Sequence, residues 1–186
     1  MLASRSPQRR ALLDQLGVDF EVRHPEVLER AQGEPAEVAL ANARSKAAAV
    51  AASLDDASGA SVLGVDTVVA LDGRIFGKPA DATIAAASLR ALSGAVHEVL
   101  SGLALLGPGG ERVHVERTEV EFRELDDDLL AWYVVSGEWR ERAGGYAIQG
   151  KGAALVRRIR GDWTNVVGLP VAALLELAPG LLTSSG

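Results

Sequence analysis

The run Val62-Leu63-Gly64-Val65-Asp66-Thr67-Val68-Val69-Ala70-Leu71 constrains this chain more than any other segment. It is rich in β-branched and apolar residues and stops at Asp72-Gly73, a dipeptide suited to the two positive-φ positions of a type I′ turn. The spacing predicts a strand over 62–71 and a return strand Arg74-Ile75-Phe76, with Lys78-Pro79 ending the hairpin. Asp66 is the exception in a strand otherwise made for burial. An unpaired carboxylate there is costly, so it demands a cation, a metal ion or strong donors unless it points out from an exposed face. Cross-strand register places Lys78 opposite Thr67 and beside Asp66. Two readings stay open at this point, a structural ion pair and a functional site.

The elements around this hairpin alternate between helix and strand patterns. Ser6-Pro7 is an N-cap followed by proline at the first helical position, and with Gly17 as a stop it predicts a helix from Pro7 to Leu16. Arg9 and Arg10 fall in its first turn, where the helix dipole already presents positive potential. Either the Ser6 hydroxyl, the free N–H groups and the two guanidiniums converge on a phosphate or carboxylate, or Ser6 is a plain cap beside solvated arginines. Val18 to Val22 alternates as a short strand, and Arg23 to Gly33 reads as a loop over a site or surface. Pro35 opens an Ala-rich helix to about Ala52, closed by Asp55-Asp56-Ala57-Ser58-Gly59. A helix over Thr83–Leu92 follows, then a longer hairpin of Val96–Leu106 and Arg112–Phe122 around Gly107-Pro108-Gly109-Gly110. Asp126-Asp127-Asp128 starts a helix over about Leu129–Val135, glycines dominate from Gly144 to Gly152, and Leu155–Ile159 is a strand. Gly168-Leu169-Pro170 introduces a last helix through about Leu177. With no internal repeat, this mix predicts one domain over 1–186 of α/β class, with a mixed sheet flanked by helices.

Composition removes whole classes of function. At 186 residues the folded chain buries roughly 70% of its unfolded surface, enough for one substantial core. With 25 acidic against 19 basic side chains, the formal charge of −6 argues against a generic nucleic-acid binder. Zero cysteines exclude disulfides, thiolate zinc sites, iron–sulfur clusters and a Cys nucleophile. No apolar run reaches the roughly 18 residues that cross a bilayer. The N-terminus lacks the apolar stretch of a secretory signal, so the cytoplasm is the expected compartment.

Other motifs are weaker. Gly145-Tyr146-Ala147-Ile148-Gln149-Gly150-Lys151-Gly152 nearly spells a P-loop, but Gly152 offers no hydroxyl for Mg²⁺ and Ala153-Ala154-Leu155-Val156 reads as strand. Without the Walker reading, the segment is either a glycine turn or a loop that lets a ligand approach the backbone, with Gln149 placed to read a base edge. His24, His97 and His114 show no metal-ligand spacing. A hard cation held by carboxylates and substrate phosphates would take Asp66, Glu26 or Glu29. Trp132, Trp139 and Trp163 are too scattered for a stacking platform and read as packing residues.

Taken in order, these pieces resemble the Maf-type nucleoside triphosphate pyrophosphatases, the septum-formation-inhibitor-like proteins, from Leu2 to about Leu177. Leu2-Ala3-Ser4-Arg5-Ser6-Pro7-Gln8-Arg9-Arg10 is similar to the family's opening Ser-x-x-Arg signature, with Ser6 and Arg9 in its two places. Glu29 resembles the glutamate of the acidic loop, Lys46 the lysine near the end of the second helix, Gly64 to Val69 the Asp-Thr strand, and Gly77-Lys78-Pro79 the lysine loop. Gly137-Glu138, Ala143 to Gly150 and Asn165 to Pro170 complete the set. The resemblance implies two lobes around a central nucleotide cleft, a homodimer, and hydrolysis of a nucleoside triphosphate between its α and β phosphates with Mg²⁺ or Mn²⁺. It implies Asp66 as general base, and Arg9, Lys46 and Lys78 as triphosphate ligands that stabilise developing charge. Ser6 would orient the phosphates, and Glu29 and Asp66 would hold the metal. Thr67 and Gln149 resemble the branch acting on dTTP and UTP rather than the branch acting on 7-methyl-GTP. Gln8 departs from both, since the first typically carries Arg there and the second Trp, and Ser101 stands where the family usually has Thr. The alternatives are the same chemistry on 7-methyl-GTP or another modified triphosphate, a phosphatase acting at a terminal phosphate, and a non-catalytic nucleotide-sensing division regulator.

Overall fold

The computed structural model describes residues 1–54 and 59–183. Its strands are β1 (Leu2–Ala3), β2 (Val22–Arg23), β3 (Val62–Leu71), β4 (Arg74–Phe76), β5 (Val96–Gly107), β6 (Gly110–Phe122) and β7 (Val156–Arg160). The α-helices are α1 (Pro7–Gln15), α2 (Pro35–Ala51), α3 (Ala82–Leu92), α4 (Asp127–Ser136), α5 (Trp163–Val167) and α6 (Val171–Leu177). The expected α/β architecture with a mixed, helix-flanked sheet is present. The close of α2 expected at Asp55 to Ser58 lies outside the described residues.

The hairpin forms as its turn residues dictate: Asp72 and Gly73 adopt φ of 51° and 76°, and Leu71, Ala70 and Val69 pair with Arg74, Ile75 and Phe76. Strand order is β2-β1-β3-β5-β6-β7, parallel among the first three and antiparallel beyond. Because β5 takes one whole edge of β3 from Val62 to Ala70, β1 and β4 must share the other. There β1 pairs only with Leu63 and Gly64, and β4 only with Val69 to Leu71. Val65 to Val68 therefore have no strand partner on that edge among the described residues, and a gap opens in the sheet at Asp66 and Thr67.

Alternation sends the two residues flanking this gap to opposite faces of the sheet. On the Thr67 face, Leu63 and Val65 pack with Leu12, Leu13, Leu169 and Leu174, while Val69 and Val99 pack with Leu89, Leu92, Leu130 and Tyr133. On the Asp66 face α2 lies directly on the strands, with Ala39, Ala43 and Ala47 against Val62, Ala104, Val68 and Leu100. Glycine makes this contact possible. A Cβ on Gly64 would collide with the Ala43 carbonyl and stand 2.8 Å from the Ala47 nitrogen, and one on Gly102 would stand 2.5 Å from the Ala39 carbonyl oxygen.

Two expectations are corrected. The alternation of Val18 to Val22 is not strand pairing, since β2 starts only at Val22. Gly17, at φ 68°, donates to the Asp14 carbonyl and Val18 to that of Leu13, the paired bonds that end a helix with a left-handed glycine. Val18 and Phe20 pack on the core as part of that stop. Ala153 to Leu155, read as strand, close a 3₁₀ turn over Lys151–Leu155, held by the Glu138 carboxylate accepting the Lys151 N–H at 2.7 Å, and β7 begins at Val156. β1 and α5, of two and five residues, are too short to show a period of their own in sequence.

Candidate active site

The site forms where β3 loses its edge partner. Asp66 is 7% exposed, and both its oxygens are engaged by one face of α2: Lys46 Nζ lies 2.6 Å from Oδ1, and Asn42 Nδ2 donates to Oδ2 at 3.0 Å. Asn42 and Lys46 are four residues apart and so project from the same side of the helix. The Lys46 ammonium also meets Glu29 Oε1 at 2.8 Å, joining two carboxylates through one cation. Glu29 sits on the irregular segment between β2 and α2, which the sequence read as a loop over a site or surface. Partial burial works to raise the Glu29 carboxyl, but the hydrogen bond and charge of Lys46, with the charges of Lys78 and Arg9, outweigh it and hold the group below the usual range.

The cation expected beside Asp66 was Lys78, and this is corrected: the partner is Lys46. Pairing of the hairpin ends at Val69 and Phe76. Beyond it the Gly77 carbonyl accepts the Gly144 N–H at 3.2 Å, which draws this stretch toward the glycine-rich segment. Lys78 is exposed, 3.3 Å from Glu141 Oε2, and close enough to the acidic loop for its charge to act on Glu29.

On the other face of β3, Arg9 is built into the protein. The Ser6 hydroxyl accepts the Arg9 N–H at 3.5 Å as the cap of α1 and donates to Gln8 Oε1 at 3.1 Å. The Arg9 guanidinium donates from Nε to the Gly168 carbonyl at 2.7 Å, from Nη1 to Ser4 Oγ at 3.0 Å, and from Nη2 to Thr67 Oγ1 at 3.0 Å. Three of five N–H bonds are thus satisfied among the described residues, and two have no partner there and can serve a ligand. Burial pushes the guanidinium down from its ordinary value, while the charges of Asp66 and Glu29 act to raise it. Thr67 Oγ1 further contacts Ser101 Oγ at 2.8 Å. Arg10 does not join Arg9; it lies on the outside of α1, 3.7 Å from Asp14.

The Gly168 carbonyl is itself held in place. Buried Asn165 donates from Nδ2 to the Val99 carbonyl and to Thr118 Oγ1, both at 3.0 Å, tying α5 to β5 and β6 just ahead of it. Gln149 is exposed on the glycine-rich loop, with no side-chain hydrogen bond to Asp66, Arg9 or any other of the described residues. That loop is fixed at Tyr146, whose hydroxyl meets His97 Nε2 at 2.9 Å, and at Ala147, whose N–H donates to the Tyr133 hydroxyl at 3.0 Å. Glu26 is exposed and takes no part in the cluster.

Asp66 and Glu29 converge on one positive charge, which fits the limited protein contribution a small hard cation requires when substrate phosphates and water supply its other ligands. Among the described residues no cluster of three or more acidic or histidine side chains competes as a metal site. Sequence reasoning did not single out Asn42. The signal was present, because Asn42 and Lys46 interrupt the stripe Ala39, Ala43, Ala47 and Val50 that α2 buries.

The family model described as "Maf-like protein" matches residues 1–180. The chain is 46% identical over 181 residues to the dTTP/UTP pyrophosphatase of Deinococcus radiodurans, covering 97% of this chain and 91% of that protein. It is 48% identical over 181 residues to that of Nitratidesulfovibrio vulgaris, covering 95% and 85%. To that of Thermococcus gammatolerans it is 44% identical over 177 residues, covering 95% and 94%.

Proposed function

The chain belongs to the Maf family, and from that premise we propose that it hydrolyses dTTP and UTP between the α and β phosphates, giving the nucleoside monophosphate and pyrophosphate. The observation that carries the reading is the gap in the sheet edge at Asp66 and Thr67. It places a buried carboxylate on one face of β3 and, on the other, a buried guanidinium with two N–H bonds that have no partner among the described residues.

In this reading a water attacks the α phosphorus while Asp66 accepts its proton, and the bond from that phosphorus to the bridging oxygen breaks as pyrophosphate leaves. Lys46 and Asn42 hold the Asp66 carboxylate in one orientation and leave lone pairs on it for the water. Arg9 and Lys78 bind the triphosphate oxygens and offset the charge that develops on them. Ser6 shapes the start of α1 next to Arg9. Glu29 and Asp66 would hold a divalent cation, Mg²⁺ or Mn²⁺, which when bound supplies charge neutralisation at the phosphates. Thr67 positions Arg9 through its hydroxyl, and Gln149 and Gln8 offer amides to the base or phosphates. A cytoplasmic homodimer that engages no nucleic acid belongs to the same reading. The net charge of −6 supports the last point, and no helix among the described residues is long and apolar enough to cross a membrane.

The test is a turnover panel with Mg²⁺ or Mn²⁺ on dTTP, UTP, CTP, 7-methyl-GTP and ITP, with pyrophosphate and orthophosphate quantified separately. Pyrophosphate chiefly from dTTP and UTP is the expected result. Pyrophosphate chiefly from another triphosphate removes the assigned base preference, orthophosphate moves the cleavage to a terminal phosphate, and binding without turnover makes the protein a sensor. Sedimentation velocity tests the dimer.

A further inference from the structure

We propose that Asn42 is a positioning residue that locks the acidic loop and the reactive carboxylate into one unit, an inference that rests on the role given to Asp66 above. Asn42 is 3% exposed and every hydrogen of its amide is used. Nδ2 donates to the Arg30 carbonyl at 3.0 Å and to Asp66 Oδ2 at 3.0 Å, while Oδ1 accepts the Arg30 N–H at 2.8 Å. The partners fix the orientation of the amide: a backbone N–H only donates, a carbonyl and a carboxylate only accept, and one arrangement alone satisfies all three.

The side chain therefore pairs with both polar groups of one backbone residue, as a neighbouring strand would, at the residue next to Glu29. Among the described residues, the two bonds from Asn42 to Arg30 and the ion pair of Glu29 with Lys46 are the only hydrogen bonds or ion pairs made by residues 24–33. This ten-residue stretch has no helix or strand of its own. The polar ties that hold it over the site thus come from two side chains one turn apart on α2, and both of them also hold Asp66. Lys46 makes the link through charge, which a bound cation or a phosphate competes for. Asn42 makes it through three directed bonds that carry no net charge, so it keeps the loop registered on Asp66 while the charges around it exchange partners.

Replacing Asn42 by Leu keeps the volume similar and removes all three bonds. An outer-shell contact of this kind typically changes activity about 10- to 100-fold. For Asn42→Leu the expected result is a kcat at least about tenfold lower with KM for dTTP within about threefold, because Arg9 and Lys78 are untouched. Trypsin should also cut after Arg30 faster than in the wild-type protein, in the absence of nucleotide. Asn42→Ala, with a smaller side chain, should show the same two changes, which covers the case in which leucine fails to fold. A thermal melt of each variant accompanies both readouts. Folded variants with wild-type kcat and wild-type protection at Arg30 overturn the proposal. A lower kcat without faster cleavage overturns the coupling to the loop. If the wild-type protein releases no pyrophosphate, the functional reading fails, and the proteolysis still decides whether Asn42 holds the loop.

Discussion

Acidification should destabilise this protein through one residue remote from the Asp66 cluster, His97. Its ring is fully buried on β5, edge-on to Phe122 at 4.7 Å and to Tyr146 at 5.5 Å between centroids. Nε2 meets the Tyr146 hydroxyl at 2.9 Å, and Nδ1 has no hydrogen-bond partner among the described residues. Protonation would place a charge and an orphaned N–H among aromatic rings, so burial pushes the His97 pKa down from 6.5 to about 4. The unfolded chain then binds a proton that the native state refuses between those two values, and stability is lost as pH falls through this window. At about 1.4 kcal/mol per unit, the loss from His97 alone between pH 7.5 and 4.5 is about 2 to 3 kcal/mol, a large share of the roughly 5 to 15 kcal/mol that holds a domain folded. Urea denaturation of the wild type and of His97→Gln at the two pH values measures it. The glutamine can still donate to Tyr146 but does not titrate, so the wild type should lose about 2 to 3 kcal/mol more than the variant. Equal losses in the two proteins would refute the argument. Because Tyr146 anchors the loop that carries Gln149, the wild type should lose activity in the same pH range.

Replacing Asp66 by Asn should lower pyrophosphate release by about 100-fold or more while circular dichroism remains that of the wild type, and an active variant would make another group the base. Gly64→Ala should cost about 1 to 3 kcal/mol or more in urea, because α2 must lift from the sheet, and activity should fall with it as Lys46 and Asn42 leave Asp66. Thr67→Val removes the hydroxyl that accepts from Arg9, so KM for dTTP should rise more than kcat falls; a change in kcat alone would show that Arg9 is held without it. Glu29→Gln should shift the Mg²⁺ dependence of turnover to higher concentration, and an unchanged metal titration removes Glu29 from the proposed ligand set.

How far the sequence could be read depended on the range of the interaction. The Asp72-Gly73 turn, the Ser6 cap and the long strands were legible because each is set by neighbours in the chain. Asp66 was recognised as a carboxylate in need of a partner from its local surroundings alone. Its partner was not found, since extending the hairpin register past Phe76 leads to Lys78, whereas the ammonium that arrives comes from 20 residues upstream on a helix. Register is a local rule, and the bond from Gly144 to Gly77 that breaks it comes from a distant loop. Arg9 was legible as a candidate anion ligand. The Gly168 carbonyl that holds it is 159 residues away and follows a helix too short to leave a pattern.

The polar residues on the buried stripe of α2 show why the site and the fold cannot be separated. A lysine and an asparagine facing a sheet are costly unless they find charges and acceptors there. They find them because Gly64 and Gly102, with Ala39, Ala43 and Ala47 above them, let the helix backbone descend close to the strands. With larger residues at those positions, Lys46 and Asn42 would stand too far from β3 to satisfy Asp66, leaving polar groups on both sides of the interface without partners. The same closeness positions the carboxylate for chemistry at the one stretch of the β3 edge that neither β1 nor β4 covers. The small residues of α2, β3 and β5 are therefore part of what builds the Asp66 cluster even though none of them carries a reactive group.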